Sequence, residues 1–452
     1  MKNRRNFLKV SAVFGAGSLL VPHMTHALTK SPEKEILKVG LIGVGLRGTN
    51  HLKNLLLRED VRVTALCDID PARISLTLAM VKEGGGATPE TYGKDEYDYR
   101  NLLISSEVDA VVIATPWLWH TRMAVDAMEA GKYTGLEVSA ANTLEECWDL
   151  VNAHEATGTH LMLLENVNYR RDIMAVLHMV RNGVFGELVH YRCGYQHDLR
   201  QVKFNDGKRP HGGGVEFGEK AISEARWRTL HSVKRNADVY PTHGLGPVAV
   251  MADINRGNRF VSMTSHASKA IGLHNYIVKE GGANHPNASV TFKQGDVITS
   301  TLETARGETI IITHDCNLPR PYSLGFRVQG ANGLWEADGN RIYIEGESEG
   351  HNWEAAETWL ERYDHPLWKK YGSFAEGAGH GGMDFFVLQA FVESAKRNIA
   401  PPMDVYDAAA WSAVTPLSEN SIAHGGEPQD FPDFTRGMWL KRAPYDWIKD
   451  SY

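Results

Sequence analysis

Gly43-Val44-Gly45-Leu46-Arg47-Gly48 lies between two stretches of different periodicity. Residues 37–43 form a short apolar run with the length of a buried strand, and residues 49–58 place Leu52, Leu55 and Leu56 on one side of a helix. A second β-type run, residues 61–67, stops at Asp68, about 20 residues beyond the last glycine. Each part of this strand-turn-helix-strand unit has a physical task in holding a dinucleotide. Gly43, Gly45 and Gly48 permit a tight turn and close approach of a pyrophosphate, whose charge meets the free amides at the helix start. Asp68 accepts hydrogen bonds from the ribose hydroxyls of adenosine and repels a 2′-phosphate, so NAD is favoured over NADP. Arg47 and Arg73 stand nearby and weigh against that preference.

The parallel sheet continues beyond this unit. Residues 108–115 read as a buried strand, and its carboxyl end, Thr115-Pro116-Trp117-Leu118-Trp119-His120, falls where such sheets place ligand contacts. A helix over 121–130 is ended by Gly131, and a strand over 133–138 carries Glu137 at its end. Residues 36–160 are therefore an α/β Rossmann domain that binds NAD. From 161 to 452 the pattern changes: a helix over 172–181 precedes β-type runs at 188–195, 290–292, 297–303, 309–313 and 325–329. These predict an α+β domain with a large, mostly antiparallel open sheet, covered by helices on one face. The other face is free to close over the nicotinamide end. Residues 205–218 and 279–286 are rich in Gly, Pro and polar residues and read as loops.

Bulk properties agree with two domains. The chain has 452 residues, 42% hydrophobic and 23% charged, too long for one compact core. A formal charge of -7, with no basic run outside the first residues, argues against nucleic acid as a partner. Eleven Trp, sixteen Tyr and twenty His supply flat amphipathic rings suited to stacking on sugars or nucleotides, although most such residues serve a core. Cys67, Cys147, Cys193 and Cys316 are widely scattered, which favours buried free thiols, and no spacing of His, Cys, Asp and Glu suggests a metal site. A homo-oligomer is compatible with all of this.

Residues 1–31 read as a signal and linker rather than fold. Arg4-Arg5-Asn6-Phe7-Leu8-Lys9 precedes an apolar run over 10–21 and a small-residue cleavage point after Ala27, a pattern that resembles a twin-arginine export signal. The run is about 12 residues, short of the roughly 20 needed to span a bilayer, so no permanent anchor is expected. Export of a folded protein, with the periplasm as the expected destination, allows a cofactor to be loaded beforehand.

The order of motifs resembles the family of glucose-fructose oxidoreductases and inositol dehydrogenases, from about Lys38 onward. In the dehydrogenases of that family the strand after "EAGK" ends in Glu-Lys-Pro, and the lysine handles the proton of the substrate hydroxyl. Here the residues are Glu137-Val138-Ser139, and Val138 exchanges no proton. The segments "GVGLRG", "ATPWLWH", "GLEVS", "LLENVNYRRD", "RWRT", "YPTHGLGP" and "PRPYS" resemble one branch in particular, glycoside hydrolase family 109. That branch acts on terminal α-N-acetylgalactosamine.

The resemblance implies that Leu46, Arg47, Asp68, Trp117, Leu118, Trp119, His120, Glu137, Val138 and Asn166 surround NAD. It likewise implies that Tyr195, Arg228, Tyr240, Pro241, Thr242, His243 and Tyr322 surround the sugar, with Tyr169 a further pocket candidate. The implied reaction is a retaining hydrolysis: transient oxidation at C3, elimination across C1 and C2, addition of water, and re-reduction, with NAD regenerated. Such chemistry needs an acid/base near C3 and C2, and His243 is the first choice because imidazole titrates near neutrality. Tyr240, three residues earlier, shares its face on a helical turn. Tyr322 and Tyr195 are candidates for orienting hydroxyls, Arg228 for the acetamido oxygen, and Glu137 for positioning the nicotinamide or the reacting sugar. The alternative is an NAD(P)-dependent sugar or polyol dehydrogenase, against which Val138 counts. A catalytically silent carbohydrate- or nucleotide-binding protein is a third reading, disfavoured by the grouping of Tyr240, His243 and Tyr322.

Overall fold

The computed structural model describes residues 36–451. The twin-arginine pair, the apolar run after it and the cleavage point at Ala27 lie outside the described residues.

Six parallel strands form the first sheet: β1 (Leu37–Ile42), β2 (Val61–Cys67), β3 (Glu90–Tyr92), β4 (Ala110–Ile113), β5 (Tyr133–Leu136) and β6 (Leu161–Leu163). Their order is β3-β2-β1-β4-β5-β6, so the chain reverses direction of winding between β1 and β4. Both faces are covered by helices, which is why β4 and β5 are buried at every residue and read as continuous apolar runs. The crevice beyond the carboxyl ends of β1 and β4 is the place such sheets offer a ligand.

The second sheet has nine strands: β7 (Leu188–Gln196), β8 (Phe260–Ala267), β9 (Val297–Thr304), β10 (Thr309–Asp315), β11 (Arg327–Gly330), β12 (Gly333–Glu336), β13 (Arg341–Ile344), β14 (Glu354–Ala355) and β15 (Gln429–Asp430). It is antiparallel except where β10 runs parallel to β7. Strand β9 alternates buried Ile298, Ser300, Leu302 and Thr304 with exposed Thr299, Thr301 and Glu303, the signature of a sheet with one solvated face.

Several local expectations shift, each for a physical reason. The sheet takes in Leu161–Leu163, so the Rossmann layer extends past residue 160. Residues 290–292 form no strand; Phe292 is buried in a small cluster with Phe204, Val215, Leu273 and Ile277, so its apolarity reflects packing rather than sheet pairing. Residues 279–281, expected in a loop, complete the helix Gly272–Gly281. The helix expected from 121 begins at Trp117, because Pro116 stands at the cap, where the first turn needs no amide from it, and Trp117 and His120 turn inward together. The four cysteines are buried and unpaired. No helix among the described residues is long and apolar enough to cross a membrane.

Candidate active site beside the glycine turn

The turn between β1 and the helix Leu46–Leu56 is shaped by three glycines with different duties. Gly43 has φ +84°, and a Cβ there would meet the Ala114 carbonyl oxygen at 2.7 Å. A Cβ on Gly48 would lie 1.9 Å from the Gly43 carbonyl oxygen, so only glycine lets the helix start this close to the strand. A Cβ on Gly45 would meet nothing within 4 Å. Open space at Gly45, at the amino end of an 11-residue helix, is the cradle a pyrophosphate fills. Asp68 follows the end of β2 beside it: one carboxylate oxygen accepts from the Val44 amide at 2.8 Å and the other from the Asp70 amide at 2.9 Å. Leu46, Ile69 and Leu118 are exposed around this crevice. The residues present therefore fit a dinucleotide.

Both neighbouring arginines are already engaged. Arg73 donates to the Val44 carbonyl at 3.1 Å and to the Thr49 hydroxyl at 2.8 Å. Arg47 donates through Nε to Glu137 at 2.5 Å and through a terminal nitrogen to Asp384 at 2.8 Å. Glu137 also accepts from Nε2 of His51 at 2.6 Å, and Asp384 accepts from the Asn166 amide at 2.8 Å and contacts Nδ1 of His380 at 2.8 Å. Burial pushes Glu137 up, but the Arg47 charge and the bond from His51 outweigh it and bring it down to about 2. His51 is lowered by burial and by Arg47, so it stays neutral. Glu137 is thus a permanent carboxylate whose oxygens are bound by Arg47, by His51 and by the Val138 amide, which suits it to anchoring rather than to carrying protons.

The other predicted cofactor residues divide. His120 is almost fully buried, with one ring nitrogen 2.7 Å from the Ser139 carbonyl and the other 2.7 Å from the Thr115 carbonyl, tying the ends of β4 and β5 together. Val138 is buried beside it. Leu118 points to solvent, and Trp119 turns to the outer side, against Tyr97 at 5.6 Å and Arg122 at 5.6 Å. Trp117 faces the second domain, stacked on Tyr240 at 5.3 Å and edge-on to Trp227 at 5.0 Å.

Trp117 leads into an aromatic pocket. Tyr195, at the end of β7, lies 4.8 Å from Tyr240, 5.4 Å from His243 and 6.5 Å from Tyr322, measured between ring centres. Arg228 sits 4.8 Å over Tyr240 and 5.0 Å over Trp117, held by Glu224 at 2.5 Å. Burial pushes the Tyr240 and Tyr195 hydroxyls well up, so both are neutral donors. Tyr322 is half exposed at the rim, with His197 5.0 Å away. Tyr240 and Pro241 precede the helix Thr242–Met251, whose first turn carries His243. That helix end approaches β7 only because residue 244 is glycine: a Cβ there would lie 2.5 Å from the Gly194 nitrogen. Pro241 and Thr242 are buried behind the pocket, and the Thr242 hydroxyl has no partner among the described residues. Tyr169 is fully buried beside Phe386 and Trp447, away from this ring cluster.

Two buried carboxylates escaped the sequence reading. Glu165 has both oxygens 2.8 Å from Nδ1 of His243, although 78 positions separate them. Asp384 lies in the helix Met383–Arg397, far along the chain. No spacing rule links such distant residues; the only signal was that Glu165 falls inside "LLENVNYRRD". Consecutive residues Glu165 and Asn166 then join the two halves of the site, one reaching His243 and the other Asp384. The 3₁₀ turn Asn166–Tyr169 therefore sets the aromatic pocket directly beside the Arg47 cluster and the glycine turn.

Comparison with known proteins gives consistent results. Residues 37–164 match the oxidoreductase family with an NAD-binding Rossmann fold, and residues 169–441 match the C-terminal domain of glycosyl hydrolase 109. The chain is 51% identical to an alpha-N-acetylgalactosaminidase of Tannerella forsythia, over 98% of both chains. It is 50% identical to a glycosyl hydrolase family 109 protein of Parabacteroides distasonis, again over 98% of each. Among solved structures, levoglucosan dehydrogenase with NADH and L-sorbose superposes with a TM-score of 0.63 at 17% identity, covering 88% of this chain and 100% of the other. The myo-inositol dehydrogenase of Lactobacillus casei with NAD(H) and myo-inositol gives 0.57 at 16% identity, over 88% and 97%. At that identity the likeness is one of fold.

Proposed function

The chain belongs to glycoside hydrolase family 109, and from that premise we propose that it hydrolyses terminal α-N-acetylgalactosaminides with retention, using NAD that is not consumed. The observation that carries this reading is the junction at Glu165-Asn166, which sets a Tyr-His-Arg pocket beside a nucleotide cradle. Gly45, Asp68 and the start of helix Leu46–Leu56 would hold the dinucleotide, with Arg47 and Glu137 bracing the turn. When bound, the dinucleotide would accept a hydride from sugar C3, leaving a ketone that acidifies C2–H and permits elimination at C1, and would give the hydride back once water has added.

The chain's own residues manage the protons and the fit. His243 takes a proton through Nε2, the nitrogen 3.4 Å from the Tyr240 hydroxyl. Tyr240 and Tyr195, kept neutral by burial, donate hydrogen bonds to oxygens that gain negative charge. Arg228, braced by Glu224 and packed beside the stacked Trp117 and Tyr240 rings, offers a fixed fork to the acetamido oxygen.

Val138 supports this reading over a dehydrogenase, because the position expected to handle a substrate hydroxyl proton is an inert, buried side chain. The engaged arginines support NAD over NADP, since neither is free to meet a 2′-phosphate. The test is to incubate purified protein, without added cofactor, with a chromogenic α-N-acetylgalactosaminide. Release without net NADH, together with loss of a C2 deuterium to solvent, is expected; in a parallel assay supplied with NAD, steady NADH accumulation would favour the dehydrogenase. Export by the twin-arginine route to the periplasm belongs to the same proposal, supported by Arg4-Arg5 and the apolar run that follows.

A further inference from the structure

We propose that Glu165 is a positioning residue that fixes His243 in the tautomer with a proton on Nδ1, leaving Nε2 as the nitrogen that works on the sugar. The inference rests on the function proposed above and concerns the same site.

Glu165 has no solvent exposure, and its hydrogen bonds are few and specific. Both oxygens lie 2.8 Å from His243 Nδ1, and one also accepts from the Val167 amide at 3.0 Å. No arginine or lysine among the described residues is bonded to it. A buried carboxylate costs several kcal/mol in lost hydration unless it is paired, and among the described residues the only side chain bonded to Glu165 that can become a cation is His243. An ionised carboxylate has no proton to give, so the bond runs one way, from Nδ1–H to Glu165. Nε2 is then bare, and it is the nitrogen that faces the Tyr240 hydroxyl.

The surroundings hold this arrangement rigid. The Val167 amide clamps the carboxylate at the start of the turn Asn166–Tyr169. Gly246 lets the histidine helix approach: a Cβ there would lie 3.1 Å from Cγ of Glu165 and 2.9 Å from the Asn168 side chain. When Nε2 receives a proton from the sugar, the positive charge forms against Glu165, and the proton returns by the same route. Glu165 touches neither the sugar nor the dinucleotide; its effect passes through the imidazole.

The holoenzyme with ¹⁵N-labelled histidine tests this, His243→Asn identifying the His243 signals. Wild type is expected to show the Nδ1–H tautomer, and Glu165→Gln, whose amide also donates, to shift His243 toward Nε2–H. In turnover of the chromogenic α-N-acetylgalactosaminide, Glu165→Gln is expected to lower kcat about 10²–10³-fold with KM within about threefold and bound NAD retained. The double variant Glu165→Gln/His243→Asn is expected to be no slower than His243→Asn alone, because the two act as one unit. A wild-type Nε2–H tautomer, an unchanged kcat in Glu165→Gln, or additive losses in the double variant would overturn the proposal. Should Glu165→Gln fold poorly, the wild-type tautomer alone decides. A wild type that releases no sugar defeats the functional reading instead, and the spectrum distinguishes the two failures.

Discussion

Replacing Gly45 and Gly48 separately by alanine is expected to pull apart cofactor retention and folding. At Gly45 the backbone is extended, with φ -63° and ψ -154°, and an added Cβ meets no protein atom within 4 Å. Gly45→Ala should therefore leave the empty protein as stable as wild type, or better by about 0.4–1 kcal/mol through a stiffer unfolded chain. The methyl group occupies the pyrophosphate's space, so the bound dinucleotide should be lost. A ligand present at 100 times its Kd stabilises a protein by about 2.7 kcal/mol, and that increment is what Gly45→Ala should forfeit. At Gly48 the new Cβ would lie 1.9 Å from a backbone oxygen that cannot swing aside. Gly48→Ala must deform the turn itself, at about 1–3 kcal/mol for a crowded interior, and should lose stability and cofactor together. The assay is NAD released per mole of purified protein, with thermal midpoints measured before and after stripping the nucleotide. Wild-type NAD content in Gly45→Ala, or a stripped midpoint that falls as far as that of Gly48→Ala, would refute the reasoning.

His243→Asn should retain NAD and the wild-type fold but lose about 10²–10⁴-fold in kcat, measured by sugar release under saturating substrate. Glu137, lowered from its ordinary 4.5 to about 2, contributes stability in full above about pH 4.5, and that contribution is lost as pH falls toward 2. The contribution is on the order of 3 kcal/mol, so the gap in thermal midpoint between wild type and Glu137→Gln should be wide at pH 6 and narrow at pH 3. An equal gap at both values would contradict it. Arg4→Lys/Arg5→Lys should keep the full-length protein in the cytoplasmic fraction, followed by immunoblotting of fractionated cells; undiminished export would remove the twin-arginine assignment.

The Rossmann half was legible because its determinants are local. Glycines, helix start and acid fall within one short stretch, and four-residue apolar runs such as Ala110–Ile113 are buried from both sides. Where apolarity came from packing instead of pairing, as at Phe292, a strand was expected that does not form. The aromatic pocket was legible through its motifs, yet Trp119 turned outward, since its direction depends on where Pro116 starts the helix. Glu165, Asp384 and His51 were invisible for a different reason. Each acts on a residue of a remote segment, and an isolated Glu, Asp or His in a sequence carries no sign of its partner.

Asp384 also bears on the order of assembly. The brace on Arg47 comes from a helix that a ribosome delivers 337 positions after Arg47 itself. Newly made residues 37–164 alone would present a glycine turn with one of its two carboxylate struts missing. The nucleotide turn thus takes part of its support from a segment made long after it, and a product truncated before Met383 should hold its coenzyme less tightly.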